Sequence, residues 1–332
     1  MKHELPLAIV LLAIGCLPWF WQTGDSSEAF AAAAIPQSPA IALPSADLTT
    51  TPALNAVTDS NGSQSADFLR QVANSFEQGQ PSIGTLQIEN HQFGSSLTGR
   101  GKFWCGGHGS RKSRLELIPQ AENAKITQVC DGRFLYRLIE SDEDQQLKFY
   151  NLEKLEGGDA SLLGSSHPAT WVGRGSVGGL LANLAEAFIF EGMKSSQDGQ
   201  HVEIAGTWNA DRLAQLMANW VDHRSIIPTT DWSKIPRQIP HGVRLRFTNS
   251  AGDWQPTEFH FFRFDAENKL SPTVPAMTVR FGPIQRRSIG DELFEIDVDQ
   301  ANTSDQTESY TNRLDILTGK RRVAEDLGDS IR

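Results

Sequence analysis

The chain has 332 residues, of which 39% are hydrophobic and 21% charged, enough apolar material for one large core or two modest ones. It carries 30 Lys and Arg against 40 Asp and Glu, a formal net charge of -10. This acidic balance argues against nucleic acid as the main partner, because there is no basic excess to displace counterions. Three cysteines are too few for a small scaffold held together by disulfides.

The N-terminal segment is predicted to export the chain. Residues 5–21 contain no charged side chain, a length at the lower limit for spanning hydrocarbon. Ala29 and Ala31 have the small-residue spacing of a cleavage site, so residues 1–31 are predicted to be a signal peptide cut after Ala31. Two alternatives remain open: an uncut N-terminal anchor, or a lipobox that ends at Cys16. All three predict a periplasmic or cell-envelope protein, with membrane association possible through residues 5–21.

The rest of the chain divides into a spacer, one domain and a tail. Residues 32–63 are rich in Ala, Pro, Ser and Thr without apolar periodicity, which is typical of an extended spacer. Residues 64–318 are predicted to form the folded domain, and residues 319–332 a charged tail.

Two cysteines lie within the predicted domain. Cys105 and Cys130 make an even number in an oxidising compartment, which favours a disulfide between them. The alternative is a pair of buried free thiols, because the sequence does not give their separation.

Helical periodicity occurs at three places in the domain. A first helix is predicted from Ser65 until Gly79 and Pro81 end it. The mid-chain segment 177–191 and the shorter segment 210–221 have the same spacing.

The other segments alternate with a period of two and predict strands. Asp131-Gly132 between two apolar runs is a strong hairpin signal. Strands are predicted at 82–89, 96–104, 114–117, 125–130, 133–138, 146–152, 201–208, 243–247, 258–264, 277–281 and 292–298, with a loop over 299–308 and a last strand over 310–318.

These elements predict a mainly β fold with helices (α+β). An antiparallel sheet that is apolar on one face must cover that face. Two mid-chain helices cannot cover about ten strands, so the sheet is expected to curl into an incomplete antiparallel β-barrel with an N-terminal helix and a helical lid.

No catalytic, cofactor or metal site is predicted. Cys105 and His108 have the Cys-x-x-His spacing, but zinc needs three or four ligands and no second pair lies nearby. The glycine-rich segment 173–179 lacks the Lys-Ser/Thr ending of a phosphate-binding loop. A hydrolase would need His167, His201 or His260 beside a Ser or a carboxylate in a cleft.

Large apolar side chains are predicted to point into the barrel. They either fill the core or line a cavity for an acyl chain, where each buried CH₂ contributes about 0.8 kcal/mol. The predicted cavity residues are Trp104, Leu115, Leu117, Phe134, Tyr136, Phe149, Leu181, Leu184, Phe188, Phe259 and Phe261.

Short motifs resemble the LolA-type lipoprotein carriers and their outer-membrane lipoprotein-sorting relatives. The motifs are residues 97–104 (LTGRGKFW), 114–117 (RLEL), 129–136 (VCDGRFLY) and 150–152 (YNL), and the similarity covers mainly 64–195. The resemblance implies an unclosed antiparallel barrel with a helical lid that binds lipoprotein acyl chains. It also implies a barrel arginine that couples acyl release to lid movement, for which Arg100 and Arg114 are the candidates.

The sequence therefore predicts an exported, non-enzymatic protein that binds a lipid or a lipidated protein without a cofactor. One alternative is an envelope protein-interaction module with a filled barrel, and another is an envelope hydrolase.

Overall fold

A computed structural model describes residues 62–91, 97–120, 124–142, 144–157, 176–209, 240–263, 275–296, 302–309 and 311. The predicted signal peptide, the spacer up to residue 61, the helix over 210–221 and the tail lie outside the described residues, as does the last predicted strand, 310–318, apart from residue 311.

Helices are few beside the strands. In chain order they are α1 (Gly62–Glu77), α2 (Leu152–Gly157), α3 (Val177–Ala187) and a 3-10 turn (Asp291–Phe294). The strands are β1 (Ser82–Asn90), β2 (Leu97–Cys105), β3 (Lys112–Pro119), β4 (Ala124–Asp131), β5 (Phe134–Ser141), β6 (Gln145–Asn151), β7 (Phe188–Ser195), β8 (His201–Trp208), β9 (Gly242–Ser250), β10 (Asp253–Phe262), β11 (Met277–Phe281), β12 (Gln285–Arg286) and β13 (Asn302–Asp305).

The strands form one sheet in the order β13-β6-β5-β4-β3-β2-β1-β11-β10-β9-β8-β7, and β12 extends the pairing along β1. Neighbours are antiparallel except β13, which pairs with β6 in parallel. Strand β1 joins a first half, β2–β6, to a second half, β7–β11. Within the described part of the chain, β13 and β7 end the order without pairing to each other, so the sheet is unclosed.

Alternation along the strands gives the sheet two distinct faces. The inner face packs with α1 and α3 into one apolar cluster that takes side chains from β1, β2, β3 and β4 and from every strand of the second half. A smaller cluster lies at the β4–β6 end of the same face, beneath α2. The opposite side is called the outer face.

Helix α1 forms because Leu69, Val72, Ala73 and Phe76 recur on one stripe, which is buried against the sheet. The predicted helix is confirmed, although it begins three residues earlier than predicted, at Gly62. The β2–β3 loop caps its C-terminal end, since His108 N–H donates to Gly79 O at 2.9 Å and Gly109 N–H to Glu77 O at 2.8 Å. The Cys105-x-x-His108 segment therefore fixes a helix end.

Gly107 is required in this loop. Its φ is +59°, and a Cβ there would lie 2.4 Å from the Gly79 carbonyl oxygen.

The mid-chain helix is shorter than its periodicity predicts. It begins at Val177, where the Ser176 hydroxyl accepts a hydrogen bond from the Gly179 N–H at 3.0 Å. It ends at Ala187, and β7 follows from Phe188. The prediction of helix through residue 191 is wrong because Phe188, which also fits the helical spacing after Leu184, begins a strand in which buried Phe188 and Phe190 alternate with exposed Ile189.

The C-terminal part of the domain also differs from expectation. The strand predicted over 292–298 is wrong where it is described, because Asp291–Phe294 forms a 3-10 turn against β3 and β4. The predicted loop over 299–308 contains β13, whose four residues are polar and lack apolar alternation. The class prediction, a mainly β fold with an N-terminal helix and an unclosed, largely antiparallel sheet, is confirmed.

Candidate functional site: the inner face

Seven of the eleven predicted cavity residues meet in the main apolar cluster on the inner face. All are buried, and Leu181 of α3 and Phe259 of β10 are both 0% exposed. The main cluster therefore forms a continuous apolar surface over most of the inner face, and the chain's own helices already contact it. The seven residues are Leu115, Leu117, Leu181, Leu184, Phe188, Phe259 and Phe261.

The other four predicted cavity residues lie on the outer face. Trp104 follows Phe103, which points into the core, and is half-buried on the other side of β2. Phe134, Tyr136 and Phe149 are also half-buried and form an aromatic trio on β5 and β6, with ring centroids 5.9–6.2 Å apart. Burial raises the pKa of the Tyr136 phenol.

The inner face of β5 carries Leu135, Arg137 and Ile139 instead. The hairpin at Asp131-Gly132 pairs Cys130 with Leu135, and this register fixes which side chains share a face. Arg137 is only 3% exposed and lies across from Gln128 of β4.

Arg137 is a residue that the sequence analysis missed. The hairpin register could have revealed it. Leu135 pairs with buried Cys130, and Arg137 lies on the same face as Leu135.

Both candidate release arginines lie on the outer face. Arg114 donates to Glu116 Oε1 at 2.8 Å and to the Leu293 carbonyl at 3.1 Å, and so it holds the C-terminal 3-10 turn. Arg100 is exposed on β2. Neither side chain faces the inner apolar cluster, whereas Arg137 does face that side of the sheet.

The predicted disulfide is not formed, and both cysteines are free buried thiols. Cys105 pairs with Ser113 of β3, which pairs with Cys130 of β4, so a whole strand separates the two thiols. Two strand spacings are about 9.6 Å, beyond the Cα separation that a disulfide spans. Burial raises the pKa of the Cys105 thiol to about 11, which keeps it protonated.

A network of charges crosses the outer face of the second half. Arg246 bridges Glu203 at 2.9 Å and Glu258 at 3.0 Å, and Arg280 joins Glu258 to Glu89. A hydrogen bond from His260 lowers the pKa of Glu258 to about 2, with help from the nearby arginines.

His260 meets part of the requirement for a hydrolase. Its Nε2 lies 3.0 Å from Glu258 Oε2, and its Nδ1 lies 3.1 Å from Thr278 Oγ1. Thr278 is buried, however, and Glu258 is also held by two arginines, so this hydroxyl is not presented to a substrate. His201 begins β8 and is exposed, and His167 lies outside the described residues.

Within the ranges that the structure describes, no three His, Cys, Asp or Glu side chains are grouped so as to hold a metal ion. In the same ranges, no helix has the length and apolar character needed to cross a bilayer.

No protein-family model matches the chain, and no curated protein matches its sequence. Among solved structures it is similar to an uncharacterised conserved protein from Thermus thermophilus, at 11% identity and a TM-score of 0.40 over 73% of this chain and 99% of that one. It is similar to a chain of the MucA/MucB complex of Pseudomonas aeruginosa, at 14% identity and a TM-score of 0.33 over 70% of this chain and 61% of that one. It is also similar to a LolA superfamily protein from Nitrosomonas europaea, at 13% identity and a TM-score of 0.29 over 73% of this chain and 99% of that one.

Proposed function

We propose that the protein is an exported, non-enzymatic binding protein of the cell envelope that shelters the acyl chain of a lipid or lipidated protein against the inner face of its sheet. The observation that carries this proposal is the extent of that face. One apolar cluster runs from β4 across β1 to β7 on a sheet that the described strands leave unclosed.

Helix α3 is suited to exchange places with an acyl chain. It is apolar around most of its circumference, with Leu180, Leu181 and Leu184 buried together with its glycines and most of its alanines. It packs on α1 and β7, and Gly178 lets it approach the Ala73 carbonyl closely. Contacts of this kind are non-directional, so a hydrocarbon chain can take the place of the α3 side chains in them.

The energetics favour a ligand recognised by its tail. Each CH₂ that moves from water to the inner face contributes about 0.8 kcal/mol, so a long acyl chain binds with few polar contacts. In this proposal the buried Arg137 places a polar group at one side of the inner face, near the end of the bound acyl chain.

Adjacent residues of β5 give a matched test. Ile139 is half-buried on the inner face and packs against the main cluster, whereas Leu138 is half-buried on the outer face. We expect Ile139→Glu to weaken the binding of a fluorescent fatty acid by at least about tenfold, since a carboxylate on the apolar face must be desolvated. Leu138→Glu adds the same charge one residue away and should change binding less than about twofold.

Native mass spectrometry of the purified full chain provides the second readout, and co-purified lipid is expected. If the wild type carries no lipid and takes up no fatty acid, the proposal fails. If wild type and Ile139→Glu bind the fatty acid equally and have the same thermal stability, the ligand does not bind on the inner face.

The aromatic trio favours a second candidate, a protein-interaction module. Tyrosine and phenylalanine are enriched in protein interfaces, and these three rings lie half-buried on the outer face over an inner face that the chain's own helices already contact. The same pair of variants separates the candidates, because loss of partner binding in Leu138→Glu, with fatty acid uptake intact, supports the second one.

Export is part of the proposal and has its own test. N-terminal sequencing of the protein isolated from its native envelope should begin at Ala32. A chain that begins at Met1 would indicate a tethered receptor, because only a cut form can diffuse between membranes.

A further inference from the structure

A groove on the outer face is separate from the inner face and from the aromatic trio. It has a volume of about 560 Å³ and lies where β11, β1, β2 and β3 run side by side. The pairing register aligns Arg280, Gln87, Arg100 and Ile118 in one row across these four strands. Thr85 and Lys102 lie in the next row.

Two cations in this groove have no described counter-ion. Arg280 is neutralised by Glu258 and Glu89. Glu116, which pairs in register with Lys102, is held at its two oxygens by Arg114 at 2.7 Å and Lys125 at 3.4 Å.

Arg100 and Lys102 are both exposed, and neither forms an ion pair within the described ranges. Among the described residues, the groove therefore presents two positive charges without an ion-pair partner, on a chain whose formal net charge is -10.

Ile118 adds an apolar contact beside the cations. It is 57% exposed, one of two large aliphatic side chains that stand so far out among the described residues. In the register it lies directly beside Arg100. A cation next to a protruding aliphatic side chain matches a surface that has an anionic layer above a hydrocarbon layer.

We propose that this groove binds the phosphate headgroup of an anionic phospholipid at a membrane surface, with Ile118 entering the upper acyl region. The Arg100 guanidinium matches phosphate oxygens in a bidentate fork, and Lys102 supplies a second positive charge. Gln87 and Thr85 provide neutral hydrogen-bonding groups along the groove.

The acidic character of the whole chain does not oppose this contact. At physiological ionic strength charges are screened beyond about 8 Å, so the local pair of cations decides the interaction. When the outer face lies on the membrane, the inner face points away from it. Membrane binding through the groove is therefore reversible and does not depend on which ligand the inner face holds.

The test compares two double variants of the full chain that change the net charge equally. Arg100→Gln with Lys102→Gln removes the groove cations, whereas Arg287→Gln with Lys194→Gln removes two exposed cations outside the groove. Binding is measured by flotation with phosphatidylcholine vesicles, with and without about 30 mol% phosphatidylglycerol, over a range of salt concentrations.

We expect wild type to prefer the anionic vesicles and to lose that preference as salt rises. Each cation near a membrane surface contributes about fivefold, so the groove variant should lose about 25-fold and the control variant less than about threefold. Ile118→Gln should weaken binding without changing the salt slope.

Three results would overturn the proposal. Wild type that does not prefer anionic vesicles excludes membrane binding through the groove, and equal losses in the two double variants indicate net charge alone. Binding of glycerol phosphate in solution without vesicle binding would make the groove a site for a soluble ester. Ile139→Glu should keep vesicle binding, so failure of the inner-face function and failure of membrane binding through the groove are distinguishable.

Discussion

The two halves of the sheet follow the same antiparallel pattern but bury different side chains. In the second half, the inner face is aromatic and aliphatic, and α1 covers it directly. The Phe68 ring lies 5.2 Å from that of Phe247 and 5.3 Å from that of Trp254. In the first half, the inner face includes buried Gln128 and Arg137.

The outer faces differ as well. Ion pairs lie on both, those of Arg246 and Arg280 in the second half and that of Arg114 in the first. The first half adds the aromatic trio Phe134, Tyr136 and Phe149. The first half thus places a cation inside and aromatic rings outside. Exceptions to ordinary patterning of this kind tend to mark functional regions, which is why we expect the first half to contribute to binding together with α3, and stability to depend mainly on the second half.

The largest expected effect is a loss of stability caused by a substitution in the second half. Phe259→Ala removes a fully buried ring that lies 5.8 Å from Phe247 and 4.9 Å from Phe281, and it should cost about 3–5 kcal/mol in the free energy of unfolding. Phe149→Ala makes the same change in the half-buried outer trio and should cost about 1–2 kcal/mol. Urea unfolding of both variants measures the difference. Similar losses would contradict the assignment of stability to the second half.

The sequence predicted the positions of most strands well. It predicted less well which side chains of a strand face inward. Alternation and the Asp131-Gly132 turn located β4 and β5, and Met277–Phe281 was predicted to the residue. In β5, however, both faces carry apolar residues. The rule that charge stays outside favoured Phe134 and Tyr136 as the inward pair.

The structure buries Arg137 instead, an outcome that depends on tertiary packing and not on local pattern. The same ambiguity affected Trp104, because either it or Phe103 had to face inward. Strand β13 carried no apolar period, and its parallel pairing with β6 is a long-range contact that a local pattern cannot reveal.

A smaller effect sharpens the comparison through pH. His241 at the start of β9 is 1% exposed, and burial, with a contribution from Arg263, lowers its pKa from 6.5 to about 3. Below pH 6.5 this histidine is therefore protonated in the unfolded chain, whereas in the folded chain it stays neutral down to about pH 3. The contribution of His241 to the free energy of unfolding is fully present above pH 6.5. It falls as the pH is lowered, by about 3 kcal/mol at pH 4.5.

His241→Gln should flatten this part of the profile, as measured by urea unfolding at several pH values. The same substitution at exposed His91 controls for the loss of a histidine elsewhere. An unchanged slope in His241→Gln would show that another group produces the acid sensitivity.

The smallest expected effect concerns the first half, where the cysteines lie. Because β3 separates Cys105 from Cys130, a reductant has no bond to break, and the melting temperature should stay within about 1 °C when it is added. Both thiols are buried, so in native protein they should resist alkylation, and both should react after unfolding in denaturant without reductant. Mass spectrometry of the alkylated protein counts them. A single strand-crossing disulfide would instead leave both unreactive until reduction, and it would require β2 and β4 to approach each other across β3, which the register of the first half does not allow.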